Sequence, residues 1–334
     1  MRISSSSPLG LHRVIGQPGV LPQPAERLDP FMPCQDTELE IAVESLHVDA
    51  SSMSQLREVH GGDLTAVRAA IMELVRGRGK LHNPLTDSGG VLAGVVRTVG
   101  AAYRNPPPVG TRVASLASLT LTPLRLEELG AVDARSNSIS ARGTAFLFQS
   151  SPWAMLPSDL PEMLVNAALD VAGAPARVRA RTRAGSRVLI VGAGHSGVLA
   201  AIAAAEAGAA EVVVADRDPK RLQAIAALDL RGVRTVVADA TDAVPFAQTV
   251  GEPVELCVSC VDRPGVEPAC ILATRANGHV LFFSLRTDFA RAALSAEGMG
   301  STATLEIGNG QYPGHAELVV AMLRRHPKIW GMLA

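Results

Sequence analysis

RVLIVGAGHSG (Arg187–Gly197), continuing as VLAAIAAAEA to Ala207, is the stretch from which this chain is read. Four largely β-branched apolar residues, Val188–Val191, run into a glycine turn and then into an alanine-rich segment. That order spells a buried strand, a tight turn and a helix that packs closely. The glycines are spaced G-x-G-x-x-G. In a strand–turn–helix context each glycine has its own role. Gly192 permits the turn, Gly194 lets backbone approach a pyrophosphate, and Gly197 lets helix and strand meet. The helix N-terminus would offer N–H groups and a positive dipole end to phosphates. A packing turn without ligand is the alternative. Val188–Ala205 lacks Asp, Glu, Lys and Arg and has the length of a membrane span, but Gly192, Gly194, His195, Ser196 and Gly197 break it into strand and helix.

Downstream the alternation continues. EVVVAD (Glu211–Asp216) reads as the second strand and Pro219–Leu228 as the next helix. Val233–Ala238, Val254–Val261 and Gly278–Leu285 read as further strands, Thr302–Ile307 as the last, and Ala316–Arg325 as a closing helix. Nearly continuous apolar strands separated by helices predict a doubly wound parallel α/β sheet. Asp216 ends the second strand, roughly 20 residues beyond the glycines, where a carboxylate accepts the adenosine ribose hydroxyls. This predicts NAD over NADP, although Arg217 beside it could tolerate a 2′-phosphate. His195 and Ser196, in variable positions of the turn, join the candidate cofactor set, as does Ser259 in the fourth strand.

Before residue 160 the pattern differs. ELEIAVESLHV (Glu38–Val48), VLAGVVRTVG, TRVASLASL and GTAFLFQ are short β-type runs between Gly/Pro turns, which predict an antiparallel, barrel-like domain. One helix, Asp63–Arg76, interrupts them with a stripe of Val67, Ala70, Ile71, Leu74 and Val75. The chain has 334 residues, a net charge of −1 and 3% aromatics, which oppose nucleic-acid and anionic-membrane partners. No leader-like apolar run opens it, and four sparse cysteines suit a reducing cytoplasm. Cys257 and Cys260 form a CxxC inside a strand-like run and read as core.

A barrel-like domain before a dinucleotide-binding domain resembles the medium-chain dehydrogenase/reductase superfamily. Gly94-Val95-Val96, Val99-Gly100 and Val109-Gly110-Thr111-Arg112-Val113 carry the resemblance. It implies a GroES-like β-barrel over residues 1–160, a Rossmann domain over 161–312, and a C-terminal helix, 313–334, packing back on the core. The superfamily's zinc-binding GHE stretch falls on Gly89-Gly90-Val91, and its first Cys ligand near Asp49, so no metal is expected. Longer runs are similar to a zinc-independent family, the L-erythro-3,5-diaminohexanoate dehydrogenases: Gly10–Val14, Gly19–Gln23, Arg78–Lys80, Asn83–Thr86, Ser88–Gly90, Ser118–Leu124, Leu169–Ala176, Gly308–Gly310 and Gly314–Glu317. The resemblance implies NAD(P)-dependent oxidative deamination of a small diamino acid in lysine fermentation. It also implies a homodimer or homotetramer, by analogy.

Such a reaction needs a base for the substrate ammonium, a group that positions water, and counter-ions for the substrate charges. Lys80 is the sole lysine before Lys220, and is read as base, carboxylate holder or surface residue. Asp49 is read as base or ammonium partner, or as a turn cap. Ser51 and Ser52 are read as relay hydroxyls or N-caps. His82 joins the catalytic candidates. Asn83, Thr86, Asp87 and Ser88 lie on a polar loop that borders substrate in the superfamily. Asp170 and Gly173, in LDVAGAPA, precede the segment approaching the nicotinamide in related folds. Glu306 and Asn309 are expected to be structural. The competing readings are a zinc-free quinone or enoyl reductase, and a non-catalytic NAD(H)-binding sensor.

Overall fold

The computed structural model describes residues 6–133, 136–284 and 286–333. Residues 1–5, which open the chain, and Leu285, the end of an expected strand, lie outside them. The chain divides into two compact units at Asn166/Ala167 rather than at 160.

In the first unit the strands are β1 (Glu38–Val48), β2 (Gly90–Val99), β3 (Arg112–Ser115), β4 (Leu124–Val132), β5 (Ser138–Phe148) and β6 (Trp153–Met155). They pair antiparallel in the order β4-β5-β1-β2-β3-β6. β1 alternates inward and outward, so Leu39, Ile41, Val43, Leu46 and Val48 enter the core. Two helices join β1 to β2: α1 (Ala50–Val59) and α2 (Leu64–Arg78). α2 starts where the Asp63 carboxylate accepts the Thr65 and Ala66 N–H groups. It stops at Gly79, whose φ of 66° is the left-handed conformation that ends helices. Its Val67, Ile71 and Val75, four apart, form the stripe laid on the core.

The segment before β1 is held by a buried charge cluster. Arg13 and Glu38 are both fully buried. Arg13 donates to both Glu38 oxygens, at 2.9 and 2.6 Å, and its other N–H groups reach the Asp29, Met32 and Pro33 carbonyls. Its guanidinium lies 3.9 Å from the Phe146 ring centroid. Ser7 N–H donates to His12 Nδ1, which fixes the proton on Nε2, and that nitrogen donates to Glu38 at 2.7 Å. Burial alone would raise the Glu38 acid, but Arg13, His12 and the Gln35 N–H hold it down at about 2.

The helix α3 (Glu162–Asp170) crosses the division, and α4 (Gly173–Arg181) follows. The second unit then alternates β7 (Arg187–Val191), α5 (His195–Glu206), β8 (Glu211–Asp216), α6 (Pro219–Ala226), β9 (Val233–Val237), α7 (Ala243–Val250), β10 (Val254–Ser259), α8 (Glu267–Leu272), β11 (Thr274–Phe282), α9 (Phe289–Gly298) and β12 (Thr304–Ile307). All pairs are parallel, in the order β12-β11-β10-β7-β8-β9. Counted within the unit this is 3-2-1-4-5-6, the Rossmann order, with its reversal between β7 and β10. The chain closes with α10 (His315–Arg325) and α11 (Trp330–Leu333), which belong to the second unit rather than forming a separate segment. Glu206 of α5 ties them down through Arg325 at 2.7 Å and His326 at 2.8 Å. Glu306 is structural: it binds Arg177, Arg181 and His279. Among the described residues no helix is long and apolar enough to cross a membrane.

Candidate active site

The glycine turn between β7 and α5 separates packing from ligand demands residue by residue. Gly192 has a φ of 100°, which side chains avoid. A Cβ on Gly197 would stand 1.8 Å from the Gly192 carbonyl oxygen, so only glycine lets α5 sit this close. Gly194 is different. Its φ of −80° is ordinary, and a Cβ there would meet nothing within 4 Å. No packing contact calls for glycine here, and the space in front of the helix N-terminus is open, as a phosphate seat requires.

Asp216 ends β8, next to this turn. Its Oδ2 accepts the Ala193 N–H at 2.7 Å and its Oδ1 the Asp218 N–H at 2.8 Å. Each oxygen keeps a second lone pair for a ribose hydroxyl. Arg217 and His195 are exposed, and Ser196 is half-buried. Ser259 is the register partner of Val191, at the reversal of strand order. It is fully buried, and its Oγ has no hydrogen-bond partner. A buried hydroxyl left unpaired at that crevice asks for a ligand group. The residues present thus fit a nicotinamide dinucleotide. Gly173 does not join them. A Cβ on it would stand 2.3 Å from the Asn309 carbonyl oxygen, so backbone, not cofactor, claims its open face. Asp170 is exposed at the C-terminal end of α3.

The first unit gathers its polar candidates on the loop before β2. Asn83 N–H donates to the Ser88 carbonyl at 2.9 Å, Asn83 Oδ1 accepts Leu85 N–H at 3.0 Å, and Asn83 Nδ2 reaches Gln55 at 2.8 Å. The loop is thereby pinned, with Asp87 at a φ of 52°. His82 Nε2 lies 2.7 Å from Asp87 Oδ1. His82 is 8% exposed, and its Nδ1 is buried without a partner. Four hydroxyls link up beside it: Ser51 to Ser88 at 2.9 Å, Ser88 to Ser52 at 2.6 Å, and Thr86 to both Ser52 and Ser88 at 2.9 Å. Ser51 is exposed and Ser52 buried, so the chain of hydroxyls leads inward.

Asp49 precedes α1, where its carbonyl accepts the Met53 N–H, but its side chain makes no cap hydrogen bond. Its Oδ2 instead accepts the Gly89 N–H at 2.9 Å. Burial raises its acid above the usual carboxylate range, against the opposing pull of that N–H and of His47. Gly89 and Gly90 leave no room for side chains: added Cβ atoms would stand 2.4 Å from the Leu81 carbonyl oxygen and 2.0 Å from that of His47. Among the described residues no three His, Cys, Asp or Glu side chains converge as a metal-binding group.

Of the readings for Lys80, the structure removes the surface one. The side chain is fully buried, with Nζ donating to the Pro22 carbonyl at 2.9 Å and the Gln23 carbonyl at 2.7 Å. Burial lowers its ammonium to about 8. The two carbonyls make it a tether for the 22–23 segment. Sequence pattern does not mark His47, Gln55 or the buried Asn166, whose Oδ1 has no partner.

The family described as the L-erythro-3,5-diaminohexanoate dehydrogenase N-terminal domain matches residues 12–157. The L-erythro-3,5-diaminohexanoate dehydrogenase of Fusobacterium nucleatum is 39% identical over 328 residues, 94% of each chain. That of Acetoanaerobium sticklandii is 37% identical over 325 residues, again 94% of each. An alcohol dehydrogenase from Thermotoga maritima shares the fold at 14% identity, with a TM-score of 0.53 over 90% of this chain and 84% of its own. Dehydrogenase relatives over the full length, on a dehydrogenase fold with this glycine turn, make the chain an oxidoreductase with a nicotinamide cofactor. At such identity over such coverage, the chain belongs to the L-erythro-3,5-diaminohexanoate dehydrogenase family.

Proposed function

We propose that the chain oxidises L-erythro-3,5-diaminohexanoate at C3 with NAD, yielding 5-amino-3-oxohexanoate and ammonium. The observation that carries the reading is the half-buried Asp49 carboxyl, its acid raised by desolvation, held by Gly89 beside a linked set of hydroxyls. When bound, the nicotinamide ring accepts the hydride from C3. The chain's own residues do the rest. A protonated amine cannot release hydride, so Asp49 takes a proton from the C3 ammonium. Ser51, Ser88, Ser52 and Thr86 pass protons between solvent and the buried side of the loop. The anionic Asp49 also suits a substrate carrying two ammonium groups.

Gly192, Gly194 and Gly197 shape the pyrophosphate seat, and Ser259 offers its unpaired hydroxyl to the bound dinucleotide. Asp216 supports NAD over NADP, because its carboxylate accepts ribose hydroxyls and repels a 2′-phosphate. A cytoplasmic location accompanies this reading, and the four free cysteines suit it.

A panel of the diamino acid, a quinone and an enone, each with NAD(H) and NADP(H), tests the assignment. NAD-dependent turnover of the diamino acid supports it. NADPH-dependent turnover of quinone or enone alone, or dinucleotide binding with no turnover, overturns it. Asp49→Asn should lower kcat by roughly 100- to 10,000-fold, the usual worth of a general base. In the native enzyme the acidic limb of the kcat/KM profile should lie above the ordinary carboxylate value, because Asp49 must be ionised.

A further inference from the structure

A dinucleotide seated on the glycine turn extends in two directions. On the β8 side Asp216 is placed for the adenosine ribose. The other half then lies over the carboxyl ends of β10 and β11, across the reversal of strand order. Two loops leave the sheet there. The first, residues 260–266, begins with Cys260, whose N–H donates to the Val191 carbonyl at 2.8 Å. It starts against the glycine turn itself: a Cβ on Gly192 would stand 3.1 Å from Val261 Cγ2 and 3.2 Å from the Cys260 carbonyl oxygen. The second begins with Phe283, whose N–H donates to the Ser259 carbonyl at 2.9 Å. It ends at Asp288, the residue before α9. A buried side chain ties the two loops together. Glu267, the first residue of α8, is fully buried. Its Oε2 accepts the Gly265 N–H at 3.0 Å, and its Oε1 the Asp288 N–H at 2.8 Å. Nearer the surface, the Ser284 hydroxyl donates to Asp262 Oδ1 at 3.3 Å and links the same loops again. Burying a carboxylate is costly unless its lone pairs are filled. Glu267 fills them with the backbone of two loops, not with its own helix.

We infer that Glu267 is a positioning residue for the nicotinamide ring. It staples the loops after β10 and β11 into the wall against which the ring lies. This rests on the dinucleotide seat at the glycine turn and on none of the deamination chemistry proposed above. With the staple in place, the loops are ordered before the cofactor arrives. Without it, ordering them subtracts from the free energy of binding. The adenosine half, held by Asp216 and the glycine turn, does not feel the difference.

The test is titration of the native chain, Glu267→Gln and Asp262→Ala with NADH and with ADP-ribose, which lacks only the ring (NADPH and 2′-phospho-ADP-ribose if the native chain prefers them). Fluorescence of bound NADH reports both its affinity and the surroundings of the ring, and calorimetry follows ADP-ribose. Glutamine keeps the shape of Glu267, but its NH2 group only donates, so one loop N–H loses its acceptor. The expected result is NADH binding weakened roughly 10-fold, the worth of about one hydrogen bond, with ADP-ribose binding unchanged. The emission of bound NADH should also move towards that of the free cofactor. Asp262 is exposed, so Asp262→Ala should fold whatever befalls Glu267→Gln, and it removes the outer link between the same loops. Its NADH affinity should fall by a smaller factor, again with ADP-ribose unchanged. A merely structural Glu267 would weaken both ligands in parallel, or leave both affinities native in the folded molecules. Either pattern in Glu267→Gln, or in Asp262→Ala if Glu267→Gln does not fold, overturns the inference. A native chain that binds neither NADH nor NADPH would remove the cofactor seat, and the inference with it.

Discussion

Gly194 and Gly197 stand three residues apart in one motif and are glycine for opposite reasons. At 197 any side chain would strike the Gly192 carbonyl; at 194 it would strike nothing. Gly197→Ala should therefore damage the turn itself and lower stability. Gly194→Ala should leave the melting temperature unchanged and weaken NAD binding by roughly 10- to 100-fold, the worth of a charge-assisted hydrogen bond. Calorimetric titration beside a thermal melt separates the two. The close packing at Gly197 was legible in the sequence, because G-x-G-x-x-G after a strand calls for it. The polar candidates of the first unit were legible only as a group. Asp49, Ser51, Ser52, His82, Asn83, Thr86, Asp87 and Ser88 do share one neighbourhood. Their pairings depend on loop geometry that no periodicity encodes, and neither does any periodicity show that Lys80 is buried against the carbonyls of residues 22 and 23.

Among the elements, Lys80 follows the Gly79 cap of α2 and reaches back to residues 22 and 23. A tether and a base give different mutants. Lys80→Met should cost roughly 1–3 kcal/mol of stability by leaving buried carbonyls unpaired, with kcat per folded molecule retained. Denaturant unfolding alongside active-site-normalised kcat checks this; a collapse of kcat at unchanged stability would restore the catalytic role. The readable elements are those with one dominant signal. EVVVAD reads as a buried strand, and β1 keeps its expected bounds of Glu38–Val48. β4 was not legible. Its register breaks between Leu126 and Glu128 and again between Leu129 and Val132, so the two-residue alternation is lost. α1 has the same difficulty: ASSMSQLREV buries little beyond Ser52, Met53 and Leu56, too short a stripe to announce a helix.

Across the whole molecule, the Arg13–Glu38 cluster links the entry segment to the start of β1 and bears on acid stability. The Glu38 acid is lowered from the ordinary 4.5 to about 2 in the folded chain. The unfolded chain therefore binds more protons between those values, and the stability present above 4.5 is lost as pH falls towards 2. Glu38→Gln should cost about 3–5 kcal/mol at neutral pH, by leaving Arg13 a buried, uncompensated charge. It should also flatten the acid limb of the melting profile over that window. The proposed division of labour is equally a whole-chain property: in that reading one unit supplies proton transfer, the other the dinucleotide seat. Oxidative deamination of a diamino acid needs both. It is tested most directly by the yield of NADH and ammonium from L-erythro-3,5-diaminohexanoate and NAD with the purified native enzyme. Equal yields of the two products are expected, with no comparable rate on NADP. NADH without ammonium, or neither product, would contradict it.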